Sequence, residues 1–360
     1  MPRRILRHLL LPLLLPLLLP LAGMGTARAQ APAAADDGGG GRQPFLFDAY
    51  VPLEQSVVAA IGRAQAWLAE TQRADGGWNT AHGANNCGEV AFAVMALMVD
   101  GTVPGEGKYA KEVGLGLQFL LNAQRENGLI AGTRNAPAAQ VPGPMYQHAL
   151  ATLALAEAYG MSANPRLRTA LIKAVNLIVD TQHSRGGWRY QPKPDPGDIS
   201  VTVMQVMALR AAGEAGVHVP KETIDRAIQF IQSCWNPQEK GFRYMPGGGP
   251  AGFARTAAGL VCLQTVGRHD DPLVKDAVDY LMASAFDPQR NREWYWYGHY
   301  YASVGLYHYG GAPWKDYYPK IKQKILEDWK RTPHYGQMLE TSWAILILGV
   351  PYRYLPIYQR

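Results

Sequence analysis

Acids, hydroxyls, imidazoles and rings recur along this 360-residue chain just where apolar stretches begin. The sets are Cys87 and Glu89, then Tyr146 and His148, then Asp198, Ser200 and Thr202. Arg255 with Thr256, His299 with Tyr300 and Tyr301, and Glu340 with Thr341 complete the series. Asp198, Glu89 and Glu340 are the carboxylates, the residue type that gives or takes a proton as general acid or base. His148, Tyr146, Ser200, Thr202, Arg255, His299, Tyr300 and Tyr301 carry the donors, acceptors and rings of a ligand-binding rim. Trp296 joins them from the aromatic run Trp294-Tyr-Trp296-Tyr297. Such rings line apolar pockets, stabilise carbocations or stack on sugars. Helix capping competes with function at every one of these positions, since Asp, Ser and Thr favour N-caps and Glu the first turn. The recurrence of the set, more than any member, points to a functional mouth.

The elements that must position these residues form a repeat. Leu171, Ala174, Val175 and Ile178 recur at i, i+3, i+4 and i+7, one apolar helix stripe. Equivalent stripes stand at Ile61/Ala64/Leu68, Val113/Leu117/Leu120, Ile224/Ala227/Ile231, Val274/Ala277/Val278/Leu281 and, more loosely, Tyr318/Ile321/Ile325. After each comes a turn and then a stretch that is apolar almost all round. These stretches cover approximately 89–98, 146–159, 200–212, 254–266, 300–309 and 340–348. The pattern predicts six hairpins, each pairing an amphipathic outer helix with a buried inner helix. An open stack would expose one face of every inner helix, so the hairpins are expected to close into a ring. The fold class is then all-α, an (α/α)6 toroid with six inner and six outer helices. In that ring the inner helices run parallel, and their N-termini gather the polar sets at one mouth.

Two turns carry a longer signature. Gln72-Arg-Ala-Asp-Gly76-Gly-Trp78 and Gln182-His-Ser-Arg-Gly186-Gly-Trp188 both read Gln-x3-Gly-x-Trp. Gln124 to Gly128 is a degenerate copy, and Cys234 to Tyr244 a stretched one. Trp78 and Trp188 read as structural rings bracing each turn on its outer helix. The motif resembles the glutamine–tryptophan repeat of squalene and oxidosqualene cyclases, with related repeats in protein prenyltransferase β-subunits. The resemblance covers the chain after about residue 50 and implies the (α/α)6 toroid. A fold shared so widely does not transfer a function. The cyclase acid motif Asp-x-Asp-Asp-Thr has its counterpart in Asp198-Ile-Ser200-Val-Thr202. The position of the acid is Ser200, whose hydroxyl is far too weak an acid to protonate an alkene. Prenyltransferases hold zinc with Asp, Cys and His. Cys87, His148, Asp198 and His299 offer the ligand types, but no short metal spacing links them, so no metal and no cofactor is expected. Asn86-Cys87-Gly-Glu89-Val90 is similar to the thioester segment of complement-like proteins, yet Val90 stands where the bond needs glutamine.

The start of the chain reads differently. Arg3, Arg4 and Arg7 precede the leucine-rich run from Leu9 to Leu21 and then Ala27-Arg-Ala29. These features predict a signal peptide over 1–29, with 30–50 a Gly-rich flexible leader and 51–360 the toroid domain. Three prolines and the short apolar length argue against a membrane span. The formal charge of +6 comes from 35 basic and 29 acidic residues; without the four leader arginines the balance is 31 against 29, or +2. A near-neutral domain without a Lys/Arg cluster is a poor partner for nucleic acid. Cys87, Cys234 and Cys262 are too few for a disulfide framework, although the last two could pair. The chain is therefore expected to be exported, to the periplasm or beyond the cell. The leading expectation is a non-cyclase binding a small apolar, glycan or protein ligand at its mouth. A terpenoid-cyclising or lyase-like enzyme using Asp198, and a structural interaction module, are the alternatives.

Overall fold

The computed structural model describes residues 54–80, 85–291, 294–353 and 355–358. The expected signal peptide, 1–29, and the whole of the expected leader, 30–50, lie outside the described residues. Outer helices are α1 (Gln55–Thr71), α3 (Ala110–Ala123), α5 (Pro165–Asp180), α7 (Lys221–Ser233), α9 (Pro272–Ser284) and α11 (Gly311–Asp328). Inner helices are α2 (Cys87–Met98), α4 (Pro144–Ser162), α6 (Ile199–Glu214), α8 (Phe253–Thr265), α10 (Tyr295–Tyr309) and α12 (Met338–Gly349). The sequence pattern anticipates all of them; the largest displacement is at α10, which begins five residues before the expected Tyr300, at Tyr295.

Every residue of α2 is buried, whereas α5 buries only the side carrying Leu167, Ala170, Leu171, Ala174, Val175, Leu177 and Ile178. Each fully buried aliphatic side chain contributes about 1.5–3 kcal/mol, so an inner helix is secured on all sides and an outer helix on one. The inner helices pack in sequence, α2 on α4, α4 on α6, α6 on α8, α8 on α10 and α10 on α12. Finally α12 packs back on α2, and α1 lies against both α12 and α2. The described residues thus form the closed (α/α)6 toroid.

The glutamine motif holds neighbouring hairpins together. Gln182 Nε2 donates to Gly186 O within its own turn at 2.9 Å and to Thr223 O of the next outer helix at 2.8 Å. Gln124 does the same with Gly128 O and Ala170 O, and Gln72 with Gly76 O and Glu112 O. Gly186 has φ +92°, and a Cβ there would lie 1.9 Å from Arg226 O. Glycine is thus required both by the left-handed backbone and by the approach to α7. Trp188 Nε1 donates to Ile178 O at 2.7 Å, and Trp78 Nε1 to Leu68 O at 2.8 Å, which secures each ring to its outer helix. The stretched copy forms a short antiparallel ladder, β1 (Trp235–Asn236) with β2 (Gly241–Phe242). Phe242 takes the place of the tryptophan: its N–H donates to Thr256 Oγ1, as that of Trp188 does to Thr202 Oγ1.

A last turn, Pro356–Tyr358, packs on α4 and α6. Its Ile357 N–H donates to the buried Glu157 at 3.1 Å. No described helix is long and apolar enough to cross a membrane.

Candidate functional site

A cavity of about 2090 Å³ opens where the first turns of all six inner helices converge. α2 contributes Gly88, Glu89 and Phe92; α4 contributes Tyr146, Gln147 and Leu150; α6 contributes Ser200 and Met204. Phe253 to Arg255, Tyr295 to Tyr297, and Leu339, Glu340 and Trp343 complete the circle from α8, α10 and α12. The gathering of helix N-termini follows from the parallel course of the inner helices; several of their first N–H groups are taken up by side chains and loop carbonyls, such as those of Cys87, Gly88 and Glu89 by Gln147 and Asn86, and those of Met145 and Ile199 by Tyr190 O and Tyr244 O.

Of the residues expected at the mouth, Glu89, Tyr146, Ser200, Arg255, Trp296 and Glu340 border the cavity. Asn86 caps α2, accepting from the N–H groups of Gly88 and Glu89 at 3.1 Å, and its Nδ2 donates to Glu89 Oε1 at 3.1 Å. Glu340 stands in the first turn of the adjacent α12, where burial raises its carboxyl above the ordinary range. Arg255 folds back over Gly252, where an added Cβ would lie 2.4 Å from its Nη2. Trp296 leans on Tyr295 and Tyr335, with ring centroids 5.2 and 4.7 Å away. Beside it Trp294 is 71% exposed, the most open of the large hydrophobic residues among those described.

The other expected residues stand away from the cavity, and each has a structural task. His148 is fully buried; its Nδ1 accepts the Ile130 N–H, and its Nε2 donates to Ala174 O, both at 3.1 Å. Burial pushes this imidazole down to about 4, so it is a neutral strut and not a ligand contact. His299 shares a hydrogen bond of 2.8 Å with Tyr317 on α11, and burial lowers it to about 3. Thr202 is occupied by Trp188, as described above. Tyr300 and Tyr301 are buried rings packed between inner helices, the former in contact with Phe92, Trp343 and Tyr358. Asp198, the expected acid or base, is fully buried as the N-cap of α6, its Oδ1 accepting from Val201 N–H at 3.0 Å. It reaches the cavity only through Ser200, which donates to Oδ1 at 2.6 Å and itself meets Tyr146 Oη at 2.6 Å.

Among the described residues no group of three or more His, Cys, Asp or Glu side chains could hold a metal. Cys87, Cys234 and Cys262 are free and buried, and burial pushes the first two thiols up to about 12.

Several cavity residues escaped sequence reasoning. Tyr190 and Tyr244 meet hydroxyl to hydroxyl at its edge. Gln147 Oε1 accepts from Cys87 N–H and Gly132 N–H, each at 3.0 Å, tying α4 to its neighbours. A signal for the tyrosines was present: Trp188-Arg-Tyr190 and Phe242-Arg-Tyr244 place a tyrosine two residues after the motif ring.

Known structures share this architecture. An inactive variant of an α-1,6-mannanase from Salegentibacter sp., solved with α-1,6-mannotetrose, superposes with a TM-score of 0.61 at 8% identity. The match covers 82% of this chain and 99% of that one. A cellobiose 2-epimerase from Spirochaeta thermophila gives a TM-score of 0.61 at 13% identity, covering 82% and 95%. A type II terpene cyclase from Scytonema matches 83% of this chain and 98% of its own at 16% identity, with a TM-score of only 0.34. No family model matches the sequence, and no curated protein matches it. The likeness establishes the (α/α)6 toroid as a fold shared with the mannanase and the epimerase.

Proposed function

We propose that the central cavity binds an oligosaccharide. The observation that carries the reading is the combination around one cavity of aromatic rings with acids and amides. Tyr146, Tyr190, Tyr244, Trp294, Tyr295 and Trp296 border the same space as Glu89, Gln147, Gln191, Arg255 and Glu340. Rings offer flat apolar faces to the C–H faces of sugars, while carboxylates and amides pair with their hydroxyls. A hydrocarbon ligand would instead leave those charged and amide groups desolvated without partners, at a cost of about 1–3 kcal/mol each. The mannanase and the epimerase, whose substrates are sugars, support the reading by analogy. The cyclase alternative is weakened because Asp198 is sealed behind Ser200, and the scaffold alternative because the ring centre is open. Export, expected from residues 1–29, would bring such a cavity to where polysaccharides are met; it is part of the proposal.

A catalytic version rests on Glu89 and Glu340, which lie on adjacent inner helices of the ring. Burial favours the protonated form of Glu340, as a general acid requires, and Glu89 faces the same cavity as the candidate base or nucleophile. The test is calorimetric titration of the protein with α-1,6-mannotetraose, cellotetraose and squalene in detergent. Binding of a tetrasaccharide, lost in Trp296→Ala, is expected. Tight binding of squalene with indifference to both sugars would overturn the reading. Reducing-end release from a bound sugar, abolished in Glu340→Gln, would extend it to catalysis.

A further inference from the structure

Tyr146 and Ser200 border the cavity side by side, and what lies behind them fixes the direction of their hydrogen bonds. Ser200 has one hydroxyl hydrogen, and it goes to Asp198 Oδ1 at 2.6 Å. Asp198 is the N-cap of α6, and its Oδ1 is the acceptor of that hydrogen. Its Oδ1 already receives the Val201 N–H, and the whole side chain is sealed from solvent. With the serine hydrogen committed, the 2.6 Å contact between Tyr146 Oη and Ser200 Oγ must use the tyrosine hydrogen. The tyrosine oxygen is then left with lone pairs alone to offer the cavity. Tyr190 and Tyr244 are hydrogen-bonded to each other, and either hydroxyl can be the donor, so this pair can present either polarity.

We propose that the Asp198–Ser200–Tyr146 chain makes Tyr146 Oη an obligate hydrogen-bond acceptor, so that the cavity takes a ligand hydroxyl there and rejects an ether or carbonyl oxygen. This deepens the oligosaccharide reading and rests on it: the site distinguishes a free sugar hydroxyl from a substituted one. Asp198 is a positioning residue in this scheme, acting on the ligand only through Ser200 and Tyr146. The backbone N–H it caps explains its place in α6 but not its bond to Ser200.

The polarity is read directly by neutron diffraction from crystals of the wild-type protein exchanged into heavy water. A deuteron on the Tyr146–Ser200 line bonded to Tyr146, a second between Ser200 and Asp198, and none on Asp198 are expected. A deuteron on Tyr146 pointing into the cavity, or one on Asp198, would overturn the proposal. Binding supplies the functional arm, with α-1,6-mannotetraose and copies carrying fluorine for one hydroxyl at a time, fluorine being unable to donate. One copy should bind roughly tenfold to a hundredfold more weakly than the parent, and Ser200→Ala should erase that difference by freeing the tyrosine hydrogen to turn inward. Equal binding of all copies would sink the discrimination while leaving the oligosaccharide reading intact. Failure of every sugar to bind would sink that reading, and the neutron result would still decide the polarity of the chain.

Discussion

Replacing Gly186 by alanine tests whether the glutamine motif acts as the clamp between hairpins. Gly186 sits at φ +92°, a backbone that costs alanine about 1–2 kcal/mol on its own. The new Cβ would also lie 1.9 Å from Arg226 O and 2.4 Å from its carbonyl carbon, both backbone atoms of α7 that no rotamer change can move. Relief requires the turn to withdraw from α7 by more than an ångström, which pulls Gln182 off Thr223 O and leaves that carbonyl only its bond within α7. The lost bond and the forced repacking cost a further 1–3 kcal/mol, so the sum is about 2–5 kcal/mol. The control is Gly216→Ala, at φ +81° with nothing within 4 Å of the added carbon. That variant bears the backbone cost alone, about 1–2 kcal/mol. Urea unfolding followed by far-ultraviolet circular dichroism compares the two. Gly76→Ala and Gly128→Ala, facing Leu115 O and Lys173 O at 2.2 Å, should behave like Gly186→Ala. Equal losses at 186 and 216, within about 1 kcal/mol, would refute the clamp.

Glu157 is buried and pushed up to about 8 by desolvation, with Ile357 N–H on one oxygen and the charge of Glu214 adding to the rise. The fold therefore holds this proton where the unfolded chain has released it. Stability should fall as pH climbs from the ordinary glutamate range, near 4.5, through about 8. Glu157→Gln keeps the acceptor for Ile357 and should flatten that slope in melting temperatures taken from pH 5 to 9. The three buried thiols should ignore a disulfide-exchange reagent in the native protein and all react in guanidinium; a fast native reaction of Cys87 would contradict its burial. Trp188→Phe removes the bond to Ile178 O while retaining most of the ring, and should cost about 2–3 kcal/mol in the same urea assay.

The ring was legible because its two helix types differ in pattern. A single stripe such as Leu171/Ala174/Val175/Ile178 announces an outer helix, and an unbroken apolar run such as Val201–Leu209 an inner one. Height along the inner helix was legible too, since polar residues cluster at each N-terminus. Direction around the helix was not. A helix turns about 100° per residue, and a run that is apolar on every side gives no reference from which to count. Tyr146 and His148 illustrate this: two positions apart, one borders the cavity and the other faces Ile130 and Ala174 behind it. Ser200 and Thr202 divide in the same way, one toward Tyr146 and one toward Trp188. Tyr190 and Tyr244 come from turns, where no periodicity exists to place a side chain.

Closure of α12 on α2 has a mechanical consequence. In an open array of helical pairs the terminal pair has a neighbour on one side only, and loss of structure begins there and runs inward. Here α1 is held by α12 as well as α2, and Lys322 of α11 pairs with Glu54 at the start of α1. No hairpin is terminal, so none is the weakest by position alone. Opening the ring anywhere strips partners from two hairpins at once, which ties the fate of the cavity wall to every seam in the circle.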